Sequence, residues 1–224
     1  TSTITTADAN MGNLMLNGTS TVSGQVGTDL KKLANVNAGA DGKIGTFNSD
    51  VYATNLNVTG TGTVNLDGSY KGTSLNYNAD GSVNLADGKN ITAAVTTSTD
   101  DTGTLNLLGT STVSGQVGTD LKKLANVNAG ADGKIGANGS TGTFNSDVYA
   151  TNLNVTGTGT VNLDGSYKGD NLTFNNDGTV ILANDKNIDS IIKTDNHGTG
   201  NLELSGNSTI SKAVGKDGKS LKNI

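Results

Sequence analysis

The chain has 224 residues, of which 33% are hydrophobic and only 4% aromatic, and it carries a formal net charge of −5 with a pI near 4.7. This is thin material for a globular core of that length, and the acidic balance lacks the basic patch that nucleic acid or an anionic membrane surface requires. With no Cys there are no disulfides or thiolate metal sites, with no Pro nothing interrupts a long backbone ladder, and no apolar run approaches the ~20 residues that span a bilayer.

Taken from the N-terminus, Thr1 to Leu16 has neither the basic start nor the apolar heart of a signal peptide. The first strand signature is Leu14-Met15-Leu16, an apolar residue, one intervening residue and a second apolar residue. It recurs as Leu56-Asn57-Val58, Leu75-Asn76-Tyr77, Leu105-Asn106-Leu107, Leu153-Asn154-Val155, Leu172-Thr173-Phe174 and Leu202-Glu203-Leu204, and alternation at period two predicts strands buried on one face. The spacing is looser in Leu33-Ala34-Asn35-Val36 and its relatives at Leu124 and Leu221, which implies a bend or bulge. A second strand follows in each unit, at Ser20–Val22, Val64–Leu66, Val83–Leu85, Thr112-Val113, Val161–Leu163 and Val180–Leu182, while Val26, Val51, Tyr70 and Ile91 are candidates for a third side. Between them lie corners such as Asn78–Gly81, Gly130–Gly133, Gly157–Gly159 and Asn176–Gly178, where Gly offers the positive φ of a tight turn and Asp80, Asp132 and Asp177 read as turn formers.

The whole pattern is duplicated. Gly18–Gly45 returns letter for letter as Gly109–Gly136, displaced by 91 residues, and Thr46–Gly72 returns as Thr143–Gly169, displaced by 97. The difference is the insertion Ala137–Gly142 (ANGSTG), whose small and polar composition places it at a corner. Self-similarity of this length means a repeat architecture. The strand starts, 19, 23, 19 and 30 residues apart in the first copy, predict four coils per repeat. A sandwich or propeller tolerates such an insertion poorly, so the expected fold is an all-β, parallel β-helix (β-solenoid) of about ten coils, right-handed as parallel crossovers are. At ~4.8 Å per coil the rod spans roughly 45 Å. It reads as one continuous solenoid over residues 1–224, with copies at 14–104 and 105–201 and a partial third at 202–224, cut from a longer repeat region. Asn residues at equivalent corners are expected to stack as amide ladders.

Catalytic chemistry finds little support. Arg is absent, the adjacent pair Asp100-Asp101 is replaced by other residues at the equivalent places in the other copies, and paired carboxylates need a fixed separation. His197 is the single histidine and has neither a Cys for a dyad nor a second His for a metal site. The GGxGxD spacing of calcium-binding β-rolls does not occur. Thr59-Gly60-Thr61-Gly62-Thr63 resembles a flat ice-binding face, but the pattern fades by Leu75. No catalytic, cofactor-binding or metal residue is assigned, and no cofactor is expected.

The segments Gly103–Gly118, Asp147–Gly165 and Asn175–Ile188 resemble the repeat units in passenger domains of bacterial autotransporters, especially the rickettsial surface cell antigen and outer-membrane protein group. The resemblance covers essentially the whole chain and implies a β-helix exported through an outer-membrane barrel and displayed outside the cell, where such domains adhere to host cells. The implied partners are a host-surface protein or glycan, or neighbouring copies of the chain, with no nucleic acid and no insertion of these residues into a membrane. A stalk, filament or surface-layer subunit is the alternative, and a polysaccharide-active β-helix enzyme a remote one. If an adhesin, the candidate outward patch is Asn57, Thr59 and Tyr70 in one copy and Asn154, Thr156 and Tyr167 in the other, two equivalent patches about four coils apart along the axis. Such patches gain from valency.

Overall fold

A computed structural model describes residues 2–132 and 139–224. Among them there is no helix; short strands pair in parallel and wind into a β-solenoid of about ten turns. The reason is visible in the strand Thr63–Leu66, whose burial alternates between half-buried Thr63 and Asn65 and buried Val64 and Leu66. Strands such as Ser82–Leu85 and Thr160–Leu163 repeat the pattern, apolar residues inward and Thr, Ser and Asn outward. A strand pair alone could not hide this stripe, but stacked coils hide it against one another.

Pairing registers resolve the coil into three faces. On face A, Leu14, Val36, Leu56, Leu75 and Val95 stack in successive coils, continuing through Val117 and Val148 to Tyr167. On face B, Val64, Val83, Leu105, Val127, Leu153 and Leu172 do the same. Face C begins with Val26, Val51, Tyr70 and Ile91 in one column, the four residues expected on a third side. It continues through Val113, Phe144, Leu163 and Leu182. The eight-residue strand Val51–Val58 turns the corner from C to A, its first two residues pairing with Tyr70-Lys71 and its last four with Ser74–Tyr77.

These columns correct the expected repeat length. Val36 lies on face A, but its copy Val127 lies on face B. Val51 lies on face C, but its copy Val148 lies on face A. One repeat therefore takes four coils plus one further face. Each copy is turned about the rod axis by one face of three relative to the last.

The insertion is also resolved in part; Ala137 and Asn138, like Gly133 at the end of the Gly130 corner, lie outside the described residues. Thr141 and Gly142 are not loop: they open the strand Thr141–Phe144, occupying the places of Ile44 and Gly45 in Ile44–Phe47. A Cβ on Gly142 would sit 3.0 Å from the Ala129 Cβ, and one on Gly45 would sit 2.9 Å from the Ala38 Cβ, which is why the next available glycine took that seat. The corner glycines differ from expectation too. Gly81 and Gly178 do not adopt positive φ. They are needed for closeness, since a Cβ on Gly81 would lie 2.5 Å from the Gly60 carbonyl oxygen.

Candidate functional site

The outward patch expected from sequence is not assembled. Tyr70 and Tyr167 are fully buried. The Tyr70 Oη donates to main-chain carbonyls, 2.7 Å from Ser74 O and 3.1 Å from Ala53 O, and the Tyr167 Oη lies 2.6 Å from Asn171 O and 3.0 Å from Ala150 O. A Cβ at Gly72 would fall 2.0 Å from the Tyr70 Oη, so the Tyr-Lys-Gly triplet is a packing unit in which the ring folds back over the glycine. Burial pushes both phenols well above the ordinary tyrosine range, against the smaller opposing effect of backbone hydrogen bonds.

Thr59 and Thr156 are exposed at corners, each hydroxyl donating to a carbonyl of the preceding coil, Ala38 and Ala129 respectively. Asn57 and Asn154 are half-buried and lie on different faces. Asn57 belongs to the face A column, where its amide donates to Asn37 Oδ1 at 2.8 Å and accepts from Asn76 at 2.9 Å. Asn154 ends a face B ladder in which Asn84 donates to Asn65, Asn106 to Asn84, Asn128 to Asn106 and Asn154 to Asn128, at 2.7 to 2.9 Å. The two patches therefore point in different directions, for the same reason that the copies are rotated. The ladders themselves form inside strands, not at corners.

The corner aspartates have a role the sequence reading did not give them. Asp41, Asp80, Asp87 and Asp132 each accept a hydrogen bond from a backbone N–H one coil further on, those of Thr61, Gly103, Thr110 and Thr158, at 2.8 to 2.9 Å. They clip coil to coil. Asp177 does the same for Gly200 and meets Lys222 Nζ at 2.6 Å, and hydrogen bonding from that lysine holds its carboxyl below the usual range. The signal was there in the alignment of each Asp with a Gly or Thr about one coil length later.

Two projections stand off the rod. Between Val26 and Leu33, Thr28 and Lys31 exchange backbone hydrogen bonds at 3.0 and 3.2 Å and form a two-residue hairpin; Thr119 and Lys122 form its copy. The tips, Leu30 and Leu121, are each 86% exposed. In the partial third copy the same turn is closed by Lys216 and Lys219, with Gly218 in place of leucine. Successive hairpins sit on successive corners of the rod, since each leads from one face to the next.

Chemically, the described residues bring no three His, Asp or Glu side chains together as a cation site. Asp100 and Asp101 belong to a corner where the Asp100 carboxylate accepts from Lys123 N at 2.8 Å. His197 Nδ1 accepts from the Ser220 backbone N–H at 3.3 Å on an exposed corner. Comparison with known families, with curated proteins and with solved structures finds no match to this chain.

Proposed function

We propose that this solenoid is the displayed portion of a bacterial autotransporter passenger, a repetitive rod outside the cell that adheres to a host-surface protein or glycan. The observation supporting an adhesive role is the pair of hairpin tips. A leucine that is 86% exposed adds nothing to the core, and the duplicated turn presents it twice, flanked by Asp29 and Lys31 or by Asp120 and Lys122. Apolar residues standing clear of a polar surface are suited to a partner's pocket. The resemblance of the repeat units to autotransporter passengers supplies the location.

The test compares retention on cultured host cells of the unaltered chain with that of Leu30→Ser, Leu121→Ser and the double variant. Each single variant is expected to keep at least about half of the binding, because the tips face different corners and engage independently, and the double variant to lose most of it. Unchanged retention by the double variant, or no retention by any form, would remove this reading. The second reading, a structural stalk, is favoured by the rotation of one copy against the next: it strengthens a uniform rod and prevents equivalent patches from meeting one flat surface together.

A further inference from the structure

We propose that face B is a self-association surface, on which a second copy of this chain docks antiparallel about a two-fold axis passing between Thr104 and Asn126. The proposal goes beyond adhesion to a host and does not depend on it.

Two outward columns make up this face. One runs in eight rungs from Ile44 to Ile191 and holds Thr63, Ser82 and Thr104, then Asn126, Asn152 and Asn171, between those ends. The other runs beside it from Thr46 through the Asn ladder to Thr173 and Lys193. Residues of the first copy fill the N-terminal rungs and residues of the second copy the C-terminal rungs, with nothing between them, so the rotation of the repeat builds one continuous surface instead of two equivalent patches. Of the sixteen positions in these two columns, all but buried Thr173 at least partly exposed, only Lys193, at one end, is charged, although the chain as a whole carries −5. The face is the place where two such molecules meet without repulsion.

Two features commit it to a second copy, and a third sets the strength of the contact. The first is hydrogen bonding: each ladder amide spends one N–H and one oxygen lone pair along the column, leaving the other N–H and lone pair to point outward. A surface of paired donors and acceptors complements itself. The rung spacing of an identical rod also matches without adjustment, as in stacked sheets whose amide ladders interdigitate. The second is symmetry. Ile44 and Ile191 are 43% and 45% exposed and stand at opposite ends of the same column, equally distant from its midpoint. Reversal about that midpoint sets Ile44 of each copy against Ile191 of the other, closing both ends with an apolar contact. It also sets the corner bearing Asp100 and Asp101 beside the second copy's corner bearing Lys122 and Lys123. The third is area. Seven intervals of ~4.8 Å by four residues of ~3.3 Å give roughly 450 Å² per copy. The total of roughly 900 Å² is below the ~1,200 Å² of stable complexes, so association is weak.

Sedimentation equilibrium up to millimolar protein should show a monomer–dimer equilibrium. Asn126→Glu, which brings carboxylates together near the two-fold, should weaken it at least about tenfold, and Thr96→Glu on face A should leave it unchanged, with both variants keeping the parent's melting transition. Because the chain has no Cys, register can be read with a short bismaleimide: a mixture of Ile44→Cys and Ile191→Cys proteins should cross-link, and neither should cross-link alone. A mass that does not rise with concentration, an indifferent Asn126→Glu, or single variants that cross-link with themselves as well as the mixture does would overturn the proposal.

Discussion

Tyr70, Tyr77 and Tyr167 are the largest side chains of the core, and each reconciles a polar atom with an apolar interior by donating to a main-chain carbonyl. The Tyr77 Oη reaches Thr104 O at 2.8 Å across more than one coil. Burial raises all three phenol pKa values in the fold, whereas in the unfolded chain they ionise near the ordinary ~10. A raised folded value means that the stability contribution is whole below pH ~10 and is lost as pH climbs toward the folded value, at up to about 1.4 kcal/mol per pH unit for each tyrosine. The melting temperature should therefore be flat between about pH 7 and 9 and fall steeply above 10, with tyrosinate absorbance from these three residues appearing together with loss of the β spectrum. The triple change to Phe should flatten the alkaline limb. Reversible ionisation of all three in the intact rod would contradict the burial argument. The sequence admits Tyr70 both on a third side and in an outward patch; the structure places it on the third side. The Gly two residues later, whose Cβ would collide with the ring hydroxyl, was the signal that the phenol turns inward.

At the scale of the coil, the insertion tests how independent the corners are. Removing Ala137–Gly142 would bring Ile135 and Gly136 to the strand positions that Thr141 and Gly142 hold, restoring the first-copy pattern Ile44-Gly45-Thr46-Phe47. Loop shortening of this size changes closure entropy by well under 1 kcal/mol. The melting temperature should move by no more than a few degrees, and a large loss would mean that the longer corner packs against the stack. By contrast, Leu153→Ala removes a fully buried side chain from face B and should cost about 2 to 5 kcal/mol. The strands themselves were legible because Leu-x-apolar alternation is local: one residue in, one out. Corner chemistry was read less well. Glycine serves both conformation and closeness, and composition does not separate the two. An Asp at a turn looks the same whether it caps its own turn or the next coil, and only the vertical neighbour decides, as Thr158 N does for Asp132.

The rotation of the repeat was hidden for a related reason. A displacement of 91 residues gives the distance between copies, but the number of coils it contains depends on coil length, which runs from 19 residues between Leu56 and Leu75 to 31 between Val117 and Val148. The strand spacings alone suggest four coils, because the extra face lies within the long fourth interval, from Leu75 to Leu105. Its consequence is a shallow spiral: hairpin tips climb by four coils and one corner per repeat, and three repeats bring a feature back to its starting corner after roughly 62 Å at ~4.8 Å per coil. Spin labels at Leu30→Cys, Leu121→Cys and Gly218→Cys, taken in pairs, measure this directly. If copies were stacked in line, the first two labels would stand roughly 21 Å apart, the rise of four and a third coils, and the outer pair at twice that. For the spiral, the 30–121 and 121–218 distances should agree with each other and both exceed that rise, because each includes the step across a face. The outer pair should then be less than twice the inner distance, since two successive corner steps do not add in a straight line. An outer distance equal to twice the inner one would put the tips on a single edge, and with it return the two copies to a common face.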